Sequence, residues 1–218
     1  MTTKVQIVCT SDIACPWCYL GKAFLQVAME EVLKKGRIQF DLKFRSYMID
    51  PETKKDGEEY LAYNQRRWGS DGWTYDLRRH AKSVPGVSFG NWKIWPNTLN
   101  PHRALRFARE TSGSEAEVKL CGEFMKMCYE EGKNISLGET CVEAVKRVAG
   151  LDPEKAKEIF VSNKYLKEVI EEDTAGKRKG IHGVPYFEVS FEGSSKPYVV
   201  EGCQQPGKWI QMFERISS

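Results

Sequence analysis

The chain has 218 residues, 41% of them hydrophobic, and its 33 Lys and Arg against 30 Asp and Glu give a formal net charge of +3. This length and composition suit one domain with a large insertion, or two small domains, and exclude a disordered chain. A charge so near neutral predicts neither nucleic acid nor a membrane surface as a partner. The first residues lack the apolar core of a secretion signal, and no apolar run is long enough to span a bilayer, so we expect a cytoplasmic protein.

The first predicted elements are a strand, a helix and a second strand. Residues 5–10 alternate as a short strand, in which Cys9 is expected to be a core thiol. A helix over 16–35 follows, with an apolar face that includes Val27. Residues 38–45 then alternate strictly between apolar and polar side chains. Such a βαβ unit predicts two parallel strands joined by a right-handed crossover.

The sequence Cys15-Pro16-Trp17-Cys18 lies where the first strand gives way to the first helix. Cys15 therefore falls at a helix N-terminus, where unpaired N–H groups and the helix dipole stabilise a thiolate. Cys18 lies one turn further on the same face, within reach of a disulfide after small adjustments. The same spacing of two cysteines also occurs in structural thiol pairs and in one half of a zinc site. The proline and the strand-to-helix context favour a redox pair.

After Pro51 the pattern is helical for more than a hundred residues, interrupted by an aromatic loop that contains Trp92 and Trp95. We predict that Asn100 caps one helix in this block, and that Ser114 to Glu117 form a capping box at the start of the next. The apolar stripe of that second helix includes Cys121 and Cys128, which are expected in the core. Cys141, in the following helix, is predicted to be buried or half-exposed.

The β pattern returns near the C-terminus. A helix with Leu166, Val169 and Ile170 inward precedes a predicted hairpin at 187–201, and a final amphipathic helix follows. The whole order predicts an α/β fold, in which a mixed sheet is flanked by helices and a helical block is inserted in the middle. We place the sheet domain at 1–50 and 164–218, and the helical insertion domain at 51–163.

Four short motifs give the chain a family resemblance: residues 11–21 around the cysteine pair, 97–103, Gly183-Val184-Pro185-Tyr186-Phe187, and Glu201-Gly202 with Gln204. Together with the βαβ and ββα order they resemble the thioredoxin fold of the DsbA family, and in detail its FrnE-like branch. Relatives of that branch include 2-hydroxychromene-2-carboxylate isomerases and kappa-class glutathione transferases. The resemblance covers nearly the whole chain.

The resemblance implies roles for individual residues. Cys15 would be the nucleophile, Cys18 the resolving thiol, and Pro185 a cis-proline that faces the pair and docks an extended substrate. Further substrate contacts would come from Pro16, Trp17, Val184, Gly202, Gln204, Asn97 and His102. Within the motif at 97–103, a cap role for Asn100 and a surface position for Arg103 are the alternatives to contact with substrate. The family usually has a buried acid six positions before the nucleophile, where this chain has Cys9. Asp12 is the nearest acid, so the group that exchanges a proton with Cys18 is left open.

Two functions follow from this reading. The first is a thiol–disulfide oxidoreductase or isomerase acting on protein disulfides, dithiols or glutathione. The second is a glutathione-dependent isomerase or transferase, for which the loop around Trp92 and Trp95 would roof an apolar pocket; placement of both rings in the core is the alternative. The relatives of the second kind mostly have serine at the position of Cys15, so two cysteines favour the first. Cys203, an accessory thiol on the rim near Pro185, is a candidate acceptor of the disulfide, or else an inert packed cysteine.

No tightly bound cofactor and no metal are expected, with glutathione as a candidate co-substrate. An odd number of cysteines, mostly far apart, indicates reduced thiols rather than a secreted disulfide framework. A non-catalytic zinc-binding module is a third reading, which would need ligands at no finger-like spacing. The sequence does not determine the oligomeric state.

Overall fold

The structure, a computed structural model, describes residues 2–217. Its main sheet has the order β2-β1-β5-β6, with β1 and β2 parallel and the other neighbours antiparallel. This confirms the predicted βαβ unit, the C-terminal hairpin and the mixed sheet. A small second sheet pairs β3 with β4. The strands are β1 Thr3–Ser11, β2 Ile38–Ser46, β3 Glu58–Glu59, β4 Ile94–Trp95, β5 Tyr186–Phe191 and β6 Tyr198–Glu201.

Helices cover the sheet and fill the middle of the chain. Helix α1 packs on α8, while α4 and α7 both contact β2. Helices α2 to α6 lie between β2 and α7 in the chain, in agreement with an inserted helical block, whose boundaries at 51 and 163 stay predictions. The helices are α1 Pro16–Leu33, α2 Tyr60–Trp68, α3 Thr74–Ala81, α4 Leu99–Tyr129, α5 Gly138–Lys146, α6 Pro153–Phe160, α7 Leu166–Arg178 and α8 Pro206–Ile216.

Helix α4 begins earlier than the sequence predicts. Its first residue is Leu99, so the predicted N-cap role of Asn100 is wrong. The amide oxygen of Asn97 accepts the Leu99 N–H at 3.1 Å, while the Asn100 oxygen accepts from Arg103 at 3.0 Å. Thr98 precedes the helix but donates its hydroxyl to Asp12 instead. Bonds to the side chains of Arg103 and Asp12 have therefore replaced the expected local cap.

The capping box predicted at Ser114 is also wrong. Gly113, with φ of 84°, makes a kink that divides α4, and the chain continues helically on both sides of it. Ser114 donates its hydroxyl to Asp41 at 2.9 Å, and Glu117 accepts the Phe44 N–H of β2 at 3.3 Å. These two hydrogen bonds fix the kink against β2. Asp41 and Phe44 therefore replace the first turn of the helix as the partners of Ser114 and Glu117.

Burial of the cysteines agrees with the sequence patterns. Cys9, Cys121, Cys128 and Cys141 all lie in the core. Two apolar residues predicted to face inward, Val27 and Ile170, are exposed instead. Each lies at the edge of the apolar stripe of its helix, outside the face that is buried against the rest of the protein. On α1 the unexpected buried residue is Lys22, which is only 7% exposed.

We predict that Gly132→Ala destabilises the helical block more than Gly150→Ala. Both glycines have positive φ, of 69° and 88°, which costs an alanine about 1–2 kcal/mol. A Cβ on Gly132 would also lie 2.7 Å from the backbone oxygen of Asn91, whereas Gly150 has no such neighbour within 4 Å among the described residues. Chemical denaturation should show an additional loss of about 1 kcal/mol or more for Gly132→Ala. Equal losses would contradict this packing account.

Candidate functional site

Cys15 occupies the N-cap position of α1, with the extended backbone that a cap requires. Its sulfur accepts the N–H of Cys18 at 3.3 Å, and Pro16 takes the first helical position, where its missing N–H costs nothing. Both cysteines are free and almost fully buried, at 3% and 2% exposure. The first turn of α1 thus directs the N–H of Cys18 at the Cys15 sulfur.

The chain before β5 meets Cys15 from the other side. The Cys15 thiol donates to the backbone carbonyl of Val184 at 3.6 Å, and the Val184–Pro185 peptide bond is cis. Gly21 on α1 permits this approach, since a Cβ there would lie 3.0 Å from Cγ of Pro185. Peptide groups beside Val184 therefore lie next to the Cys15 sulfur.

Cys18 is a different kind of thiol. Burial raises its pKa well above the usual range, and the neighbouring Cys15 sulfur raises it further. It is therefore protonated at neutral pH. Because only a thiolate attacks a disulfide, Cys18 needs a proton acceptor before it can react.

The turn before Cys15 is fixed by the buried carboxylate of Asp12, which is 1% exposed. Its Oδ1 accepts the Ala14 N–H at 3.0 Å and the Thr98 hydroxyl at 2.8 Å, while Oδ2 accepts the Ile49 N–H at 2.8 Å. The Nε2 atom of His102 lies 3.6 Å from Oδ1 and donates to the carbonyl of Tyr47 at 3.1 Å. Asp12 thus joins the cysteine turn to the helical block.

A cavity of about 610 Å³ opens beside Cys15. Pro16 and Trp17 line it from α1, and Val184 lines it from the segment before β5. The helical block contributes aromatic walls, with one cation at the rim: Arg67, Trp68, Trp73 and Trp95. The other predicted roof residue, Trp92, lies in the core against Tyr60 and Tyr129 rather than in the lining. The site therefore combines a thiol with a largely apolar chamber.

Other predicted site residues flank Pro185. The Gly202 N–H donates to the Pro185 carbonyl at 2.8 Å, and Cβ of Cys203 lies 3.8 Å from the Cβ that Gly21 would carry. Burial raises the pKa of Cys203 to about 12, and the nearby Cys15 adds to this. Gln204 donates to Glu201 within its own turn. The substrate roles of these residues stay predictions.

Asn97 and His102 do not line the cavity. Asn97 donates its amide to the carbonyl of Thr53 at 2.8 Å, and His102 is held by the carbonyl of Tyr47. In the structure both side chains hold backbone segments outside the cavity lining, and Arg103, for which a surface position was considered, is buried. Direct contact with substrate stays a prediction for both.

The sequence analysis did not identify the cavity residues contributed by α2 and by the turn before α3. Trp68 is exposed at the end of α2, and Trp73 follows five residues later, directly before α3. His182, next to the predicted Gly183-Val184-Pro185 motif, also lines the cavity. A large exposed aromatic at a helix end was the available signal, but spacing alone did not connect it to Cys15.

Two further features bear on the expectations from the sequence. Within residues 2–217, no three His, Cys, Asp or Glu side chains are grouped so as to hold a metal ion. None of the helices in this part of the chain combines the length and the apolar character needed to cross a bilayer.

We predict that Asp12→Ala lowers the free energy of unfolding by about 3 kcal/mol or more, because three donors lose their acceptor. Thr98→Val removes only one of these bonds and should cost about 1 kcal/mol. Urea denaturation followed by far-UV circular dichroism measures both. A loss for Asp12→Ala no larger than that for Thr98→Val would contradict the joining role of this carboxylate.

Comparison with known proteins places the chain in a family. The model of the DSBA-like thioredoxin domain matches residues 6–207. No curated protein matches the sequence. Among solved structures, a probable DsbA oxidoreductase from Streptomyces coelicolor is 24% identical with a TM-score of 0.75, over 98% of this chain and 89% of its own.

Two more solved structures share the fold at lower identity. The cytosolic disulfide reductase DsbM from Pseudomonas aeruginosa is 17% identical, with a TM-score of 0.66 over 97% of this chain and 98% of its own. A 2-hydroxychromene-2-carboxylate isomerase is 13% identical, with a TM-score of 0.64 over 97% of this chain and 94% of its own. The fold and the family match agree with the resemblance drawn from the sequence motifs. The chain belongs to the family of DSBA-like thioredoxin domains.

Proposed function

We propose that the protein is a thiol–disulfide oxidoreductase with Cys15 as nucleophile and Cys18 as resolving thiol. The observation that carries this proposal is the placement of the Cys15 sulfur. It caps α1, accepts the Cys18 N–H, touches the Val184 carbonyl and borders the cavity. A thiolate at a helix N-terminus, with a second thiol one turn away, is suited to reversible disulfide exchange.

The exchange proceeds in two displacement steps. The Cys15 thiolate attacks one sulfur of a substrate disulfide, forming a mixed disulfide and expelling the other substrate sulfur as a thiolate. Cys18 then loses its proton and attacks the Cys15 sulfur, which closes the Cys15–Cys18 disulfide and expels the second substrate thiolate. Run in reverse, the same steps oxidise a substrate dithiol and leave both cysteines reduced.

The substrate we propose is a protein disulfide or glutathione, held as an extended backbone next to Val184. In support, the Pseudomonas aeruginosa disulfide reductase that shares this fold has also been solved with glutathione, at 16% identity and a TM-score of 0.64. We also propose a cytoplasmic location, because all seven cysteines are free and that reductase is described as cytosolic.

The test is to trap the mixed disulfide. With oxidised glutathione, Cys18→Ala should retain one glutathione on Cys15, because no thiol remains to displace it. The Cys15→Ser variant should retain none at this site, and the wild-type protein should gain an intramolecular disulfide. Intact-mass and peptide mass spectrometry read out all three. An adduct located only on Cys203, or an equal adduct in Cys15→Ser, would contradict the assignment.

The aromatic cavity supports a second candidate, a glutathione-dependent isomerase or transferase of small apolar molecules. Trp68, Trp73 and Trp95 give the chamber apolar walls next to the sulfur. For this activity Cys15 would hold glutathione, and no second thiol would be needed. Cys15→Ser discriminates between the two, since such an activity should partly survive while disulfide exchange is lost.

If the cavity binds an apolar group, Trp68→Ala should raise KM for an aromatic disulfide or electrophile about fivefold, for the loss of one ring contact. Tyr75→Ala is the matched control, because Tyr75 is exposed on α3 and does not line the cavity. Steady-state kinetics with 5,5′-dithiobis(2-nitrobenzoate) and with oxidised glutathione compare an aromatic with a non-aromatic substrate. An unchanged KM for the aromatic substrate would remove the cavity from substrate binding.

A further inference from the structure

Below the thiol pair, two residues on β1 and two residues on α1 lie at similar separations along their elements. Cys9 and Ser11 are two apart on one face of β1, which separates them by about 7 Å. Cys18 and Lys22 are four apart on one face of α1, about 6 Å along the helix axis. Ser11 is accordingly the neighbour of Cys18, while Cys9 interacts with Lys22 and with Cys18.

Ser11 is well placed to pass a proton. Its hydroxyl is buried and makes no hydrogen bond of regular geometry within residues 2–217. The groups beside it are the thiols of Cys18 and Cys9. A hydroxyl both donates and accepts, so rotation lets Ser11 take a proton from one sulfur and give one to the other.

Lys22 is an unusual cation for a core. Its Nζ donates to Gln26 at 2.9 Å, and it lies 3.0 Å from the Cβ that Gly122 of α4 would carry. Burial lowers its pKa, while the thiols of Cys121 on α4 and Cys9 on β1 oppose that effect. Burial raises the pKa of the Cys121 thiol, and Glu117, also on α4, raises it further.

Lys22 also has a route to water. It lines a cavity of about 790 Å³, together with Gln26 and Glu123 and with the exposed Lys126 at its edge. A proton on the amine therefore has an exit on the side of α1 that faces α4. Cys15 borders the other cavity described above, so substrate and proton leave by separate openings.

We propose that Cys9 and Lys22 together form the proton acceptor for Cys18, with the Ser11 hydroxyl carrying the proton between the sulfurs. This inference rests on the proposed function, since it supplies the deprotonation that the second displacement needs. In the proposed step, Cys9 starts as a thiol and Lys22 as a neutral amine. Afterwards Cys9 is a thiol, Lys22 is an ammonium and Cys18 is a thiolate, so the charge of the buried site is unchanged.

The neighbouring groups do not offer an equivalent acceptor. Asp12 already accepts three hydrogen bonds, and the Tyr129 hydroxyl, which also faces the pair, donates to the carbonyl of Ile13 at 3.2 Å. Once Cys18 has attacked Cys15, the expelled substrate thiolate takes a proton from water. Lys22 then returns its proton to water through its own cavity.

The test follows both displacement steps by stopped flow with 5,5′-dithiobis(2-nitrobenzoate), in a Cys203→Ser background that removes the half-buried thiol. The first coloured thiolate reports attack by Cys15, and the second reports attack by Cys18. Lys22→Met and Ser11→Ala should each slow the second phase about tenfold or more at neutral pH, while leaving the first phase unchanged. The pH midpoint of the second phase should move upward, because Cys18 has lost its proton acceptor.

Lys126→Met is the matched control, since it removes a lysine from the edge of the same cavity and should leave both phases unchanged. An unchanged pH profile in either Lys22→Met or Ser11→Ala overturns the relay, and if Lys22→Met does not fold, Ser11→Ala decides alone. The proposed function fails separately, when the unsubstituted protein shows no second phase that Cys18→Ala abolishes.

Discussion

The carboxylate of Asp12 accepts hydrogen bonds from three separate segments, and the geometry of the thiol pair depends on it. It holds Ala14 in the turn before Cys15, Ile49 after β2, and Thr98 at the start of α4. A carboxyl group this deeply buried is tolerated because both of its oxygens accept hydrogen bonds. The same contacts hold the start of α4 against the cysteine turn, so one group positions both the helical block and Cys15.

Helix α1 contributes to the site through its first two turns. Its first turn directs the Cys18 N–H at the Cys15 sulfur, whereas its second turn brings Lys22 under the sheet beside Cys9. In the mechanism that we propose, one helix therefore positions both the attacking Cys15 and Lys22 of the acceptor pair. Burial raises the pKa of the Cys18 thiol, so Cys18 stays protonated at neutral pH.

The sequence was sufficient to predict the βαβ unit, the C-terminal hairpin and the mixed sheet, because strict alternation of apolar and polar residues is a local signal. It failed where the side chain of a predicted cap bonds to another partner. The Asn100 oxygen accepts from Arg103 one turn further along α4, and Ser114 donates to Asp41 on the distant β2. From its residue type, Lys22 would be expected on the surface. It is buried in the structure, where its amine lies against Gly122 of α4. The aromatic cavity joins residues far apart in the chain, so no spacing rule connects them.

The most direct measurement is an equilibrium redox titration of the protein against glutathione, read by the mass shift on alkylation and repeated with Cys18→Ala. The account predicts a reversible two-electron couple assigned to Cys15 and Cys18, which disappears in the variant. A stable glutathione adduct on Cys15, with no disulfide between the two cysteines at any ratio, would contradict the oxidoreductase. In that case the glutathione-dependent isomerase or transferase becomes the better account of this site.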